Sequence, residues 1–378
     1  MGSLGGSILL LCKAVPPVPG GLERYSGELA RAYARAGLDV DLVDVSTLVP
    51  GVVRGRLSPD AVLGQAAAAP RLLAALAARL ARRDYAFAHA TIWRPALPLL
   101  ALGRSVPLAI SVHGREIGHA PWPLSAGLRR LLARARALVC VSHYTRHRLV
   151  QLQPATLPRA IVAWNGLSAT AAPRVSAARP ADAPLRVLTV CRLVERKNVA
   201  TAIRAVATAV RRPGLRMTYT VIGDGPLRQP LAATASDCGL GHAIRFLGRV
   251  PDDVLARAYA EHDVFLHPQI EVGDARDFEG FGLTVADAMA AGLVVIAGAG
   301  GGPGELVRHG ETGLLVDGRD GDEIAALLAR LAAQPAERER LAERARTFAL
   351  GNFTWSGHVE RILTFMDSAA GTPRREAA

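Results

Sequence analysis

Lysine is almost missing from this chain: only Lys13 and Lys197 stand among 45 basic residues. Arginine is the default cation here, so a lysine marks a place where a compact ammonium is wanted rather than a planar guanidinium. Cysteine is scarce as well. Cys12, Cys140, Cys191 and Cys238 are far apart and show no CxxC spacing. That excludes a disulfide framework and a cysteine-based zinc site, and it points to a reducing cytoplasm. Aromatic residues make up 5% of the chain, too few for a base-stacking platform, which argues against a nucleic-acid partner. Long apolar runs are lacking too. Ile8–Leu11 falls far below the ~20 residues a spanning helix needs. No basic segment precedes it and Pro-Pro-Val-Pro-Gly-Gly follows, so it is expected to be a buried first strand rather than a signal peptide.

Acidic residues are also thin in the first half. Residues 1–165 carry 20 Lys and Arg against 8 Asp and Glu, whereas residues 166–378 carry 25 against 25. The whole net charge of +12 therefore lies on the first half. A merely soluble Arg-rich surface accounts for this, and so does a half that faces an anionic membrane surface or a phosphorylated acceptor.

What is present is an alternation of short apolar runs with helical segments, the pattern of parallel α/β sheets. At 378 residues two domains are expected. Strands are expected at Ser7–Cys12, Val40–Val45, Tyr85–His89, Leu108–Val112, Leu138–Val141 and Ile161–Ala163. Helices are expected at Leu22–Ala36, Pro70–Arg83 and Leu128–Ala135. Residues 166–184 are small, Pro-rich and non-periodic, as a linker would be. Alternation restarts at Leu185–Val190 and runs to about residue 350, followed by a weakly amphipathic helix. The expected division is thus 1–165, a linker at 166–184, a second domain at 185–350, and a tail at 351–378. Two such halves would leave a cleft at the carboxyl ends of their strands, the usual ligand site of open α/β sheets.

The segment Asp277-Phe-Glu-Gly-Phe-Gly-Leu-Thr-Val-Ala-Asp287 carries the most chemistry. Glu279 and Asp287 lie eight residues apart. Gly280 and Gly282 between them leave the backbone bare, and a short buried helix ends at Gly292. Free amides from Phe281 through Gly282 and Leu283 to Thr284 would sit at that helix start, where anionic or hydroxyl-rich ligands bind. Cys191-Arg-Leu-Val-Glu-Arg-Lys-Asn198 joins a strand to the Val199–Val210 helix, so Arg192 and Lys197 bring two positive charges suited to a diphosphate. The glycines from Gly298 to Gly304 partly mimic a dinucleotide fingerprint. However, Pro303 stands where its third glycine belongs and the following helix is too short for a crossover, which excludes a dehydrogenase. A metal site is not expected: Asp39 and Asp41 share a strand as a solvent-facing pair, and Asp317, Asp320 and Asp322 lack a histidine partner.

The order of these motifs resembles the group-one (family four) retaining glycosyltransferases of the GT-B fold. The E-x7-E signature corresponds to Glu279 and Asp287, and G-R-L-x-x-x-K to the segment from Cys191 to Lys197. Further matches are Pro19-Gly20-Gly21, His113-Gly114-Arg115-Glu116, Asn165-Gly166, Gly223-Asp-Gly-Pro226 and Glu305 through Gly313. The resemblance implies two Rossmann-like domains facing across a cleft, with a last helix that crosses back onto the first. It implies a nucleoside diphosphate sugar as donor and a glycan or lipid-linked hydroxyl as acceptor, with no metal or other cofactor. Glu279 would then contact the sugar, Asp287 the ribose, His113 the donor or transition state, and Arg192 and Lys197 the phosphates. The amides of Gly20 and Gly21 would close over the phosphates. A cytoplasmic enzyme follows from the scattered cysteines, and a peripheral position at the inner membrane face from the basic first half. Three substitutions depart from type: Cys191 for Gly, Ser168 where Asp is common, and Asp287 for the second Glu. Two alternatives share the scaffold, a non-catalytic nucleotide-sugar-binding protein and a nucleotide-sugar epimerase.

Overall fold

The computed structural model describes residues 6–18, 20–48, 59–102, 106–114, 116, 124–168, 183–241, 243–274 and 276–368, without side chains for 59–69 and 124. Most of the expected linker, residues 169–182, lies outside this set, as do Pro19 and Arg115. The chain forms two compact units: Met1–Gly166 with Trp355–Ala378, and Leu167–Thr354.

In the first unit six parallel strands are ordered β2-β1-β3-β4-β5-β6, being β1 Ser7–Cys12, β2 Asp39–Asp44, β3 Phe87–Ala90, β4 Leu108–Val112, β5 Ala137–Cys140 and β6 Ala160–Val162. In the second the order is β12-β11-β10-β7-β8-β9, being β7 Leu185–Val190, β8 Met217–Ile222, β9 Ile244–Gly248, β10 Val264–His267, β11 Val294–Gly298 and β12 Leu314–Val316. The central strands are apolar on both faces because helices cover both. Ile8 to Cys12 and Val264 to Leu266 are fully buried. Strand order reverses between β1 and β3 in one sheet and between β7 and β10 in the other, and loops leaving carboxyl ends there diverge to open a binding crevice.

Two expectations are corrected. The helix expected at Pro70–Arg83 runs from Pro59 to Arg82 and so starts eleven residues earlier, because the Ala-rich run before Pro70 has strong helix propensity. Asp39 and Asp41 are not merely solvent-facing. Asp39 pairs with Arg83, and Asp41 accepts from Arg79 Nε at 3.2 Å and from the Tyr85 hydroxyl at 2.5 Å.

The Trp355–Ser368 helix belongs to the first unit, and a buried polar chain fixes it there. Tyr33 Oη lies 2.8 Å from His89 Nδ1, His89 Nε2 2.8 Å from Ser111 Oγ, and Ser111 Oγ 2.7 Å from Tyr25 Oη. Tyr25 Oη lies 3.0 Å from His358 Nε2, and His358 Nδ1 lies 3.0 Å from the Trp164 carbonyl. A carbonyl only accepts, and with both imidazoles neutral it sets the direction of every bond. His358 Nδ1–H donates to Trp164, Tyr25 to His358, Ser111 to Tyr25, His89 Nε2–H to Ser111, and Tyr33 to His89. These directions hold for neutral imidazoles, which burial favours. Burial lowers His89 to about 3 and His358 to about 4.

This arrangement has a pH consequence. The unfolded chain protonates its histidines near 6.5 and the folded chain only near 4 and 3, so the unfolded state binds more protons as pH falls below 6.5. Stability measured by denaturant titration should drop between pH 6.5 and 4, with His358 contributing roughly 3 kcal/mol of that loss. His358→Gln should flatten the slope. An unchanged slope in the variant would contradict the neutral chain.

Candidate active site

After β7 the backbone turns sharply. Residues Glu195–Lys197 form a single 3₁₀ turn, and Asn198 adopts φ 51° before the Val199–Val210 helix begins. Asparagine tolerates this left-handed conformation, and its amide is anchored by donating to Gly318 O at 2.6 Å. The turn drives Lys197 inward, so that it is only 6% exposed. Arg192, on the same loop, stays exposed.

The loop leaving β10 meets Lys197 there. Ile270 N donates to Arg196 O at 2.8 Å, and Val272 and Asp277 exchange two backbone hydrogen bonds, making a small hairpin. Gly273 and Asp274 form its tip with φ 61° and 54°. The hairpin delivers Glu279, whose carboxylate accepts from Lys197 Nζ and lies 3.4 Å from Arg196. Arg196 also reaches Asp277 at 3.6 Å. Burial alone would raise the Glu279 carboxyl. Lys197 foremost, then Arg196, outweigh burial and hold it down to about 2.

His267, at the end of β10, completes the cluster, with Nε2 3.3 Å from Lys197 Nζ. An ammonium only donates, so Nε2 accepts and the imidazole proton sits on Nδ1. That nitrogen is buried without a partner among the described residues. Burial, then Lys197, holds the His267 pKa well below the ordinary histidine value, consistent with a neutral ring.

The glycine run after β11 supports Glu279 from behind. Gly302 N donates to Glu279 O at 2.8 Å, and a Cβ at Gly302 would fall 2.2 Å from Gly280 O. Only a residue without a Cβ at position 302 lets these two backbones approach so closely. Gln269, 2% exposed, holds the same loop through Gly298 and Gly300. From Glu279 the chain passes through Phe281 and Gly282, at φ 93°, into the Leu283–Ala291 helix. The Phe281 ring packs edge-on against Phe353, which leaves its backbone as the part available to a ligand. The N–H groups of Leu283 and Thr284 precede the helix's first internal acceptors. Asp287, one turn further, is buried, and Ser168 donates to its carboxylate through both the amide, at 2.9 Å, and the hydroxyl.

In the first unit, His113 follows β4. Its Nε2–H donates to Thr91 O at 2.8 Å, and its ring stands edge-on to Tyr25 at 4.7 Å. Gly20 and Gly21 open the Gly21–Arg35 helix and are exposed. Their helix start already carries a negative charge. Glu23 is 6% exposed and pairs with Lys13 at 3.3 Å, and a Cβ at Gly20 would fall 2.0 Å from its carboxylate. Phosphate at this turn would meet Glu23 first.

Of the sequence-predicted residues, the second unit thus joins Lys197 to Glu279 and continues through Phe281, Gly282 and Leu283. Arg192 stands at the same strand end, and Asp287 is turned onto Ser168. His113, Gly20 and Gly21 belong to the first unit. Sequence reading missed Arg196, His267 and Gln269. Arg196 had a signal, adjacency to Lys197, but it is hidden among 43 arginines. Among the described residues no cluster of three or more His, Cys, Asp or Glu forms a metal-holding group, and no helix is long and apolar enough to cross a membrane.

Removing Lys197 leaves the Glu279 carboxylate with Arg196 alone in a nearly dry pocket. Lys197→Met should cost roughly 3 kcal/mol in denaturant titrations at pH 7, and Lys197→Met with Glu279→Gln should recover part of it. A double variant no more stable than the single one would contradict the pairing.

Comparison with known proteins identifies the scaffold. Residues 176–348 match the profile described as Glycosyl transferases group 1, and residues 19–169 match Glycosyltransferase Family 4. A GDP-mannose-dependent alpha-(1-6)-phosphatidylinositol monomannoside mannosyltransferase of Mycobacterium tuberculosis is 31% identical over 394 aligned positions, covering 96% of this chain and 99% of the relative. A D-inositol 3-phosphate glycosyltransferase of Thermomonospora curvata is 31% identical, covering 95% and 93%. Among solved structures, sucrose-phosphate synthase from Thermosynechococcus elongatus superposes with a TM-score of 0.78 at 21% identity, covering 97% and 100%. Anabaena HepE, in complex with UDP-glucose, superposes with a TM-score of 0.71 at 19% identity, covering 96% and 99%. At these identities the structures bear on the fold, which is GT-B. With both halves matched and a near full-length relative, the chain belongs to the group 1, family 4 glycosyltransferases.

Proposed function

We propose that this glycosyltransferase moves a sugar from a nucleoside diphosphate sugar to a hydroxyl of a glycan or lipid-linked acceptor, with retention at the anomeric carbon. The observation that carries the reading is the ion pair of buried Lys197 with part-buried Glu279, on the loops that leave β7 and β10 where the strand order reverses. A diphosphate arriving there competes with Glu279 for Lys197, and Arg192 at the same strand end supplies a second cation. Negative charge grows on the leaving diphosphate as the glycosidic bond breaks, and fixed cations stabilise it most in the transition state. These two side chains meet that demand, so the reaction needs no metal. Glu279 and the amides of Phe281, Gly282 and Leu283 orient the sugar, and His113 contacts the donor or the transition state. Gly20 and Gly21 approach the phosphates by backbone, a role that requires Glu23 to remain on Lys13.

Two relatives' names support the donor class: one protein is GDP-mannose-dependent, and another was solved with UDP-glucose. The basic first half, 20 cations against 8 anions, supports a cytoplasmic enzyme that works peripherally at an anionic inner membrane face. Binding to anionic vesicles that does not weaken with salt, or is absent at low salt, would end that part of the reading.

Screening UDP-, GDP-, dTDP- and ADP-sugars by thermal shift should give one donor class that raises the melting temperature. With that donor, Lys197→Ala should lower the rate of nucleoside diphosphate release by a factor on the order of 10²–10³, and EDTA should leave it unchanged. NMR of the product should show a retained anomeric configuration. Release that survives Lys197→Ala at the wild-type rate would overturn the assignment.

A further inference from the structure

We infer that Tyr25 and His358 are positioning residues for His113. The Trp355–Ser368 helix fixes the phenol ring on which the His113 imidazole rests, and so acts on the chemical step without touching the donor. The inference rests on the role proposed above for His113 in the transfer reaction.

Among the described residues the His113 side chain makes one hydrogen bond, from Nε2–H to Thr91 O at 2.8 Å, and a ring held by one bond still pivots about it. The Tyr25 ring limits that pivot, standing edge-on with centroids 4.7 Å apart. Tyr25 is itself 1% exposed and gripped from two sides. Ser111 Oγ, in β4, lies 2.7 Å from its hydroxyl, and His358 Nε2, on the last helix, lies 3.0 Å away. The rings of Trp355 and His358 also meet the Tyr25 ring edge-on, at 5.5 and 5.6 Å. The helix does not need a polar contact to stay docked. Trp355, Val359, Ile362 and Met366 form a buried apolar stripe at helical spacing, and His358 is the one polar residue buried with them. Burying an imidazole costs free energy that a leucine in its place would not. What the imidazole adds is direction. It accepts from Tyr25 and donates to Trp164 O at 3.0 Å, so the phenol is held in one orientation. The seat of the helix is equally exacting, since a Cβ at Gly166 would fall 2.3 Å from the Trp355 ring. Displacing a group at a reacting centre by about 1 Å costs on the order of 10² in rate, so a phenol free to tilt would be felt at His113.

A kinetic cycle on the full chain tests this, reading nucleoside diphosphate release from UDP-, GDP-, dTDP- and ADP-sugars. With the sugar nucleotide that turns over, Tyr25→Leu and His358→Leu should each lower kcat by about tenfold. KM for it should stay within about threefold, because the phosphate grip of Lys197 and Arg192 lies in the other unit. His358→Gln keeps an acceptor for Tyr25 and a donor for Trp164, so it should recover most of the loss seen with leucine. In a His113→Ala background neither leucine substitution should lower kcat by more than about twofold further. Losses that multiply there overturn the inference, as does a wild-type kcat in His358→Leu. The apolar stripe keeps the helix docked in His358→Leu, so that variant carries the cycle even where Tyr25→Leu does not fold. Without any ligand, proton–carbon NMR of the histidine rings should show the His113 signals, identified by their loss in His113→Ala, displaced in His358→Leu. Unmoved signals overturn the link. If Lys197→Ala lowers release while both leucine variants match wild type, this inference alone fails. No release by the wild type from any of these sugar nucleotides would remove the transfer reaction and the inference together.

Discussion

A carboxylate kept ionised where little water reaches it is the constraint on which the second unit is organised. Glu279 tolerates its pocket only because Lys197 donates to it and Arg196 stands 3.4 Å away. An unpaired charge there would be strongly destabilising. Fixing that pair requires the sharp turn at Glu195–Lys197 and Asn198 on one loop and the Val272–Asp277 hairpin on another, so two loops far apart in sequence are shaped by one ion pair. The same pair explains why a lysine survives in an arginine-rich chain. In a pocket shared with His267 and Glu279, a compact ammonium serves two neighbours at once, and a planar guanidinium would need more room. A charge pair that a ligand can rearrange is also what group transfer from a diphosphate asks for.

Around this pair the backbone, not the side chains, supplies the fit. Gly302 allows two loops to touch, and Gln269 ties the second loop to β10's extension. The first unit uses the opposite device: a chain of neutral side chains from Tyr33 to His358 that a single carbonyl orients. That chain passes beside His113, whose ring leans on Tyr25. The ring of the histidine offered by β4 therefore rests on uncharged groups, while its backbone N–H donates to the Glu116 carboxylate.

Much of this architecture was legible in the sequence. β1, β4 and β7 and the Val199–Val210 helix match their expected bounds, because buried parallel strands are continuous apolar runs with Pro or Gly at their ends. Lys197 stood out by rarity and Glu279 by its glycine neighbours. What could not be read were partnerships between distant residues. Nothing local to His267 points to Lys197, and nothing in His358 points to Tyr25, 333 positions away. Arg196 was hidden by the abundance of its own kind. Asp287 was visible as a carboxylate at the right spacing, but its attachment to Ser168 depends on where the chain enters the unit. Spacing along a helix does not encode that.

Hydrogen exchange on the intact protein, with and without a nucleoside diphosphate, tests the central claim most directly. The account predicts that the ligand slows exchange at the amides of Phe281 to Thr284 and over the Arg192–Lys197 loop. Protection confined to other segments, with these amides exchanging as in the free protein, would contradict it.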